Sequence, residues 1–232
     1  YLLEMIRPEI NQYFIESNTD GAPFNREERS LVYQRAKGDN DTLPFGTQRD
    51  LYEVGAEWLA HSLVPKPVPD VVPRVLIGDT TCKKPYSASL LNVSAMSFGA
   101  LSKNAILSLS RGAKAGDFAH NTGEGGLSDH HLKNGGDITW QIGTGYFGCR
   151  TKEGNFDPEL FSAKVKENAQ VRMIELKISQ GAKPGHGGVL PAIKNTPEIA
   201  RIRHIEPHTT VLSPPGHSAF HDAKSFLQFI GN

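Results

Sequence analysis

The sequence predicts an α/β protein, an incomplete TIM-type (β/α)8 barrel preceded by an N-terminal helical segment. Three observations carry that expectation. From about residue 85 onward, apolar stretches are each followed directly by a Gly-rich or polar turn, with helical periodicity between several of them. Such alternation is the pattern of parallel strands joined by crossover helices. Fifteen of the 23 glycines lie between Gly112 and Gly188, clustered just after the apolar stretches. Several short strand-end loops suit a barrel, whereas a doubly wound sheet usually shows one dominant Gly-rich turn. The barrel is incomplete by arithmetic: a strand–helix unit takes roughly 30 residues and a closed barrel about 250, so residues 85–232 hold about five units.

In chain order, Leu2, Leu3, Ile6, Ile10 and Phe14 recur at helical spacing, with Pro8 tolerable in a first turn. Asn25 followed by Glu28 reads as a second helix start, and Leu51, Val54 and Trp58 share one face of a third segment begun near Thr47. The stretch PKPVPDVVP at 65–73 stops helix formation, because each proline removes a backbone donor and restrains its predecessor. The expected division is therefore a helical lead over 1–72 and a barrel portion over 73–232. Strands are expected at 90–95 (LLNVSA), 117–120 (DFAH), 137–142 (DITWQI), 172–178 (RMIELKI) and 209–212 (TTVL). Helix starts are expected at Ser102, Asp157-Pro158 and Thr196-Pro197, where a capping side chain is followed in two cases by proline at the first helical position.

Composition removes several function classes. Lys+Arg and Asp+Glu both number 25, so the formal net charge is zero and a purely electrostatic nucleic-acid binder is not expected. Two cysteines, Cys82 and Cys149, cannot alone ligate a metal or an iron–sulfur cluster, and they read as reduced thiols of a cytoplasmic protein. No apolar run approaches the roughly 18 residues of a membrane helix, which leaves open only an anchor outside this sequence. The opening on Tyr1 suggests a fragment of a longer protein.

Chemistry concentrates in three loops. NTGEGG at 121–126 offers Asn121 and Thr122 as hydrogen-bonding groups, glycines that permit close backbone approach, and Glu124 as an acid, a ligand anchor or a loop brace. A purely structural turn is an equal reading. In WQIGTGYFG at 140–148, Gln141 sits near a strand end, where its amide suits a flat heterocycle or a core position equally. The GTG run lacks the strand–helix context of a dinucleotide fingerprint. Along RMIELKI, alternation puts Glu175, Lys177 and Ser179 on one face and Ile174, Leu176 and Ile178 on the other, although a barrel strand is buried on both. Lys177 either pairs with Glu175 or stabilises an anionic ligand at the barrel mouth. Gln180, Lys183 and His186 follow on the Gly-rich loop. His217 and His221 have helical metal-ligand spacing without an acidic third ligand, so no metal is assigned, and His130-His131 read as solvated.

The ordered motifs SAMSFGALS (94–102), NTGEGG (121–126), ELKISQGAKPGHGG (175–188) and VLSPPGHSAF (211–220) resemble the FMN-binding synthase domain of glutamate synthases, especially the stand-alone FMN-binding glutamate synthase family. The likeness covers roughly residues 73–232, and the helical lead is similar to the segment before the barrel in that branch. It implies an oxidoreductase in which reduced FMN delivers a hydride to 2-iminoglutarate, formed from 2-oxoglutarate and ammonia, giving L-glutamate. By the same likeness Ala95, Met96, Ser97, Asn121, Thr122, Gln141 and Lys177 would bind FMN. Lys177 and Glu124 would serve catalysis, and Gln180 and Lys183 the dicarboxylate substrate. An external electron donor and a source of ammonia, free or from glutamine, would act as partners.

Departures from the family pattern shape the alternatives. His186 replaces the acid of the AKPGEGG loop common in large glutamate synthases. Ligands for the family's iron–sulfur cluster, a glutaminase domain and the Gly-rich phosphate loops of the last strands do not occur in this sequence, so FMN binding is expected of a full-length parent. Two further readings stand beside the first: an FMN barrel acting on another 2-oxo or amino acid, and a non-catalytic partial barrel that self-associates through open sheet edges.

Overall fold

The computed structural model describes residues 26–38, 50–57, 60, 62–67, 70–78, 80–180 and 184–231. The chain divides into two compact units, Tyr1–Lys66 and Pro67–Asn232. In the first, helix α1 spans Arg26–Lys37 and buries Gln34. The helix expected from residue 47 does not form over its described part. Residues 51–55 are turns and bends, Asp50 Oδ1 accepts the Tyr52 N–H at 2.9 Å, and the side chain of Val54 is fully exposed. An Asx turn there competes with helix for the same backbone donors. The helix expected over residues 2–14, and Asn25 and Trp58, lie outside the described residues.

The second unit opens with a hairpin that the sequence reading does not anticipate. Strands β1 (Arg74–Ile77) and β2 (Tyr86–Ser89) pair antiparallel, Arg74 opposite Ser89 and Ile77 opposite Tyr86. Two long-range polar contacts fix it to the rest of the unit. The Arg74 guanidinium donates to Ser87 O and lies 3.0 Å from Asp117 Oδ2, and Tyr86 Oη donates to Asp137 Oδ2 at 2.9 Å.

Behind the hairpin lies a mixed α/β arrangement. Strands β3 (His120–Asn121), β4 (Ile138–Ile142) and β5 (Val171–Leu176) form a parallel sheet in that order. The stretch expected as the first strand, 90–95, is mostly irregular. It contributes a parallel bridge from Val93 to His120, and the Met96 N–H donates to Asn121 O at 3.1 Å. The stretch at 209–212 departs from expectation: β7 (Val211–Leu212) pairs antiparallel with β6 (Val189–Leu190) in a separate ribbon.

Helices alternate with most of the strands. Helix α2 (Lys103–Ala115) is capped by Ser102, whose Oγ accepts the Ala105 N–H at 3.3 Å, and it buries Ile106, Ser110 and Ala113. The short α3 spans Asp129–Leu132. Helix α4 (Pro158–Glu167) is capped by Asp157 and α5 (Pro197–Arg203) by Thr196, each with proline in its first turn, as those local signals require. The chain continues into α6 (Ala223–Gly231). Among the described residues no helix is long and apolar enough to cross a membrane.

Strand β4 is central and buried along its whole length; Trp140 stacks on Phe161 at 5.4 Å in a core with Ile138, Ile142, Tyr146 and Cys149. A second core joins Phe98, Ile106, Leu190, Ile199 and Ile202. Strand β5 contrasts with the expectation of burial on both faces. It pairs with β4 alone among the described strands, and Ile174 and Glu175 are both exposed.

Candidate functional site

Parallel strands deliver their side chains in step, so residues in register on neighbouring strands share a face. Asn121 closes β3, Gln141 lies one residue before the end of β4, and Glu175 is the register partner of Gln141 on β5. Glu175 is where the two amides meet. Its Oε2 accepts Asn121 Nδ2–H at 3.0 Å, and its Oε1 accepts from Gln141 Nε2. The side-chain Oδ1 of Asn121 accepts the Gly123 N–H at 3.0 Å, while Gln141 Oε1 is buried and has no hydrogen-bond partner among the described residues. Thr122, fully buried, accepts the Gln141 N–H at 3.1 Å through its hydroxyl, which donates in turn to Gly123 O.

One residue past β5, the Lys177 N–H donates to Ile142 O at 2.9 Å, continuing the ladder and aiming the side chain at the 122–126 loop. Lys177 Nζ lies 3.2 Å from Glu124 Oε2, and Gln180 Nε2 donates to Glu124 Oε1 at 3.3 Å. This settles which carboxylate Lys177 meets. Glu175, offered by spacing on its own strand, is occupied with the two amides, and the ion pair reaches across to Glu124.

Glycines allow the loops to close around these groups. Gly123 has φ +64°, and a Cβ there would come 2.8 Å from Ser97 N; a Cβ on Gly188 would meet Glu124 Oε1 at 2.6 Å. Only glycine fits at 123, where φ is positive and the neighbour is backbone, whereas a side chain at 188 would displace the Glu124 carboxylate. The loops after β3, β4 and β5 therefore converge on Glu124.

A cavity of about 220 Å³ adjoins this cluster, lined among others by Ser97, Glu124, Phe147, Lys194, Arg203 and Ser213. Arg203 is 6% exposed; its Nη2 donates to Phe98 O at 3.1 Å, its guanidinium lies 5.0 Å from the Phe147 ring centre, and its Nε has no hydrogen-bond partner among the described residues. Burial pulls its pKa below the usual arginine range, against a smaller opposing effect from Glu124. Sequence reasoning missed Arg203. The available signal was its position four residues after Ile199, which places an arginine on the buried stripe of α5.

Other sequence expectations meet mixed outcomes. Met96 and Ser97 are partly buried beside the cluster, whereas Ala95 is exposed. Lys183 lies outside the described residues. His186 is exposed and its Nδ1 lies 3.1 Å from Pro184 O. His130 and His131, expected in solvent, are buried. Because the Met96 carbonyl can only accept, His131 Nε2–H donates to it at 2.9 Å, and Nδ1 accepts from Ser128 Oγ at 2.7 Å. Burial drives the pKa of His131, and of the neighbouring His120, down to about 4. His217 is likewise structural: Nε2–H donates to Lys177 O at 2.9 Å and Nδ1 accepts from Tyr146 Oη at 3.0 Å, leaving neither nitrogen for a metal. Among the described residues no group of three or more His, Cys, Asp or Glu is placed to hold a metal ion.

Open parallel sheets bind ligands at the carboxyl ends of their strands. Here those ends carry two amides, two carboxylates and a lysine beside a cavity with a buried arginine, in a mixed α/β domain. Residues 33–232 match the family described as the conserved region in glutamate synthase. The chain belongs to the glutamate synthase family. It is 33% identical over 271 aligned positions to the glutamate synthase large subunit-like protein YerD of Bacillus subtilis (strain 168), covering 99% of this chain and 51% of that relative. It is 37% identical over 136 positions to the archaeal-type glutamate synthase (NADPH) of Thermotoga sp. (strain RQ2), covering 59% and 24%. To the glutamate synthase (NADPH) large chain of Azospirillum brasilense it is 33% identical over 141 positions, covering 58% and 8%. The chain thus spans about half the length of the first of these relatives and smaller parts of the others.

Proposed function

We propose that this chain supplies the first part of a (β/α)8 barrel, residues 73–232 behind a lead over 1–72, in a flavin-dependent oxidoreductase that forms L-glutamate from 2-oxoglutarate and ammonia. The observation that carries the reading is Gln141 Oε1, buried and without a partner among the described residues, on a strand end whose neighbours supply Lys177. A buried acceptor without a donor is costly unless a ligand completes it. A flat heterocycle with a ring N–H beside a site of developing negative charge, such as the pyrimidine edge of FMN, matches an acceptor from Gln141 and a cation from Lys177. The residues therefore fit FMN. Ser97, Asn121, Thr122, Gln141 and Lys177 would hold it, with Ala95 and Met96 on the adjoining segment, and the anchor for its phosphate would come from later strands of the parent protein.

When bound, the flavin supplies the two-electron reduction; an external donor provides the electrons. This chain's own groups bind and orient. Lys177 holds positive charge at the strand end, and Glu124 keeps Lys177 Nζ and Gln180 Nε2 in place. Arg203 and Lys194 give the adjoining cavity a cationic wall suited to a dicarboxylate, and the likeness to the family adds Gln180 and Lys183 as proposed substrate contacts. Burial of Arg203 against Phe147 strengthens its attraction for a carboxylate.

The test uses the full-length protein reconstituted with FMN and reduced anaerobically. Mixing it with 2-oxoglutarate and ammonium is expected to restore visible flavin absorbance far faster than mixing with buffer. Equal rates would reject glutamate formation. Acceleration by a different 2-oxo acid alone would move the substrate assignment, and failure to retain any flavin would favour a non-catalytic partial barrel.

A further inference from the structure

We infer that Glu175 is a positioning residue that fixes the amide of Gln141 so that its carbonyl oxygen, and not its NH2 group, faces the ligand. The inference rests on the flavin reading above and adds to it the residue that sets the polarity of the ligand edge accepted there.

An ionised carboxylate is an acceptor only, whereas a carboxamide carries one acceptor and one two-proton donor that exchange places when the group turns over. Glu175 therefore admits one orientation of each amide it touches. Asn121 must present Nδ2–H to Oε2, and Gln141 must present Nε2–H to Oε1. For Asn121 the consequence stays within the protein, since its freed carbonyl oxygen accepts the Gly123 N–H at 3.0 Å. For Gln141 the freed oxygen is buried and without a partner among the described residues, so the clamp leaves one acceptor to be met by whatever binds. Gln141 itself is 4% exposed, and its backbone N–H is fixed by Thr122 Oγ1, which leaves the side-chain torsions as its main freedom. Glu175 removes the last of them. Its freedom to do so depends on Lys177 pairing elsewhere, with Glu124. A ligand with a ring N–H at that position is accepted, and one bearing an acceptor or an alkyl group there is excluded.

The experiment compares FMN with N3-methyl-FMN, which lacks the ring N–H, by fluorescence titration of full-length apoprotein. For the unaltered protein FMN is expected to bind at least about tenfold tighter than the methylated flavin, the worth of one desolvated hydrogen bond. In Glu175→Gln, where the neighbouring amide is free to turn over, that preference should shrink to within about threefold, with an unchanged unfolding midpoint. A merely structural role for Glu175 would weaken both flavins alike and leave the ratio intact; that result overturns the inference. The exchange variant Glu175→Gln/Gln141→Glu carries the same test if the single variant folds poorly, because the carboxylate at 141 again presents an acceptor. It should restore the preference, and its failure to do so counts against the clamp. If the unaltered protein binds both flavins equally, the clamp is wrong and the flavin reading stands. If it binds neither, the flavin reading falls and the clamp with it.

Discussion

Removing the Lys177 ammonium should cost stability through Glu124 and not through Glu175. The two side chains of the pair are 26% and 22% exposed and lie 3.2 Å apart. At that separation and an effective dielectric of about 20, the bare attraction is about 5 kcal/mol. Desolvation of both ions and the fixing of two flexible side chains take back most of it, leaving about 1–2 kcal/mol, above the range of exposed pairs. Lys177→Met keeps most of the alkyl packing while deleting the charge, and Glu124→Gln keeps the shape of its partner. A double-mutant cycle on these two, read by urea unfolding, should give a coupling of about 1–2 kcal/mol, while the Lys177→Met/Glu175→Gln cycle should give less than about 0.5 kcal/mol. A larger coupling to Glu175 than to Glu124 would refute the assignment and return Lys177 to the same-strand pairing that spacing alone allows.

Two further outcomes follow from burial. His120 and His131 are held neutral, with pKa values pushed from 6.5 to about 4. The unfolded chain therefore protonates first, and stability that is whole above about pH 6.5 should fall as pH drops toward 4, by up to about 1.4 kcal/mol per pH unit for each ring. A flat profile of unfolding midpoints through that window would contradict their burial as neutral rings. Cys149 is buried with its thiol pushed up to about 12, whereas Cys82 is exposed. Near pH 8 the Cys149 thiolate is then about one part in ten thousand, so a chromogenic disulfide should label one thiol of this chain promptly and the second only after denaturant is added. Two fast thiols in the native chain would refute it.

What could be read from the sequence was what is local. Ser102, Asp157 and Thr196 announce their helices because a cap acts within three residues, and Ile138–Ile142 and Val171–Leu176 are long enough for their apolar content to show. The hairpin of Arg74–Ile77 and Tyr86–Ser89 was illegible because its strands are only four residues each, and the contacts that fix it to the unit, Arg74 to Asp117 and Tyr86 to Asp137, come from far along the chain. Val211–Leu212 looked like another parallel strand because two apolar residues carry no sign of direction; its partner is the equally short Val189–Leu190. The same limit governs the site. Alternation placed Glu175 and Lys177 on one polar face, but only the converging loops decide that one takes Asn121 and Gln141 and the other takes Glu124. His130 and His131 misled because a polar neighbourhood in sequence says nothing of Met96 and Glu198, which receive them.

The contacts of His217 constrain how this sequence can drift. Its ring joins the Lys177 carbonyl to the Tyr146 hydroxyl, and the Ala219 N–H donates to that same hydroxyl at 3.2 Å. Three segments well separated in the chain thus share one chain of protons with a fixed direction. Phenylalanine at 146 would strand both the imidazole nitrogen and the Ala219 amide, and a residue without a ring at 217 would strand the tyrosine and loosen the backbone that carries Lys177. Neither position can change alone without a penalty, so Tyr146 and His217 should be inherited as a pair, and a lineage that lost one would be expected to have replaced the other.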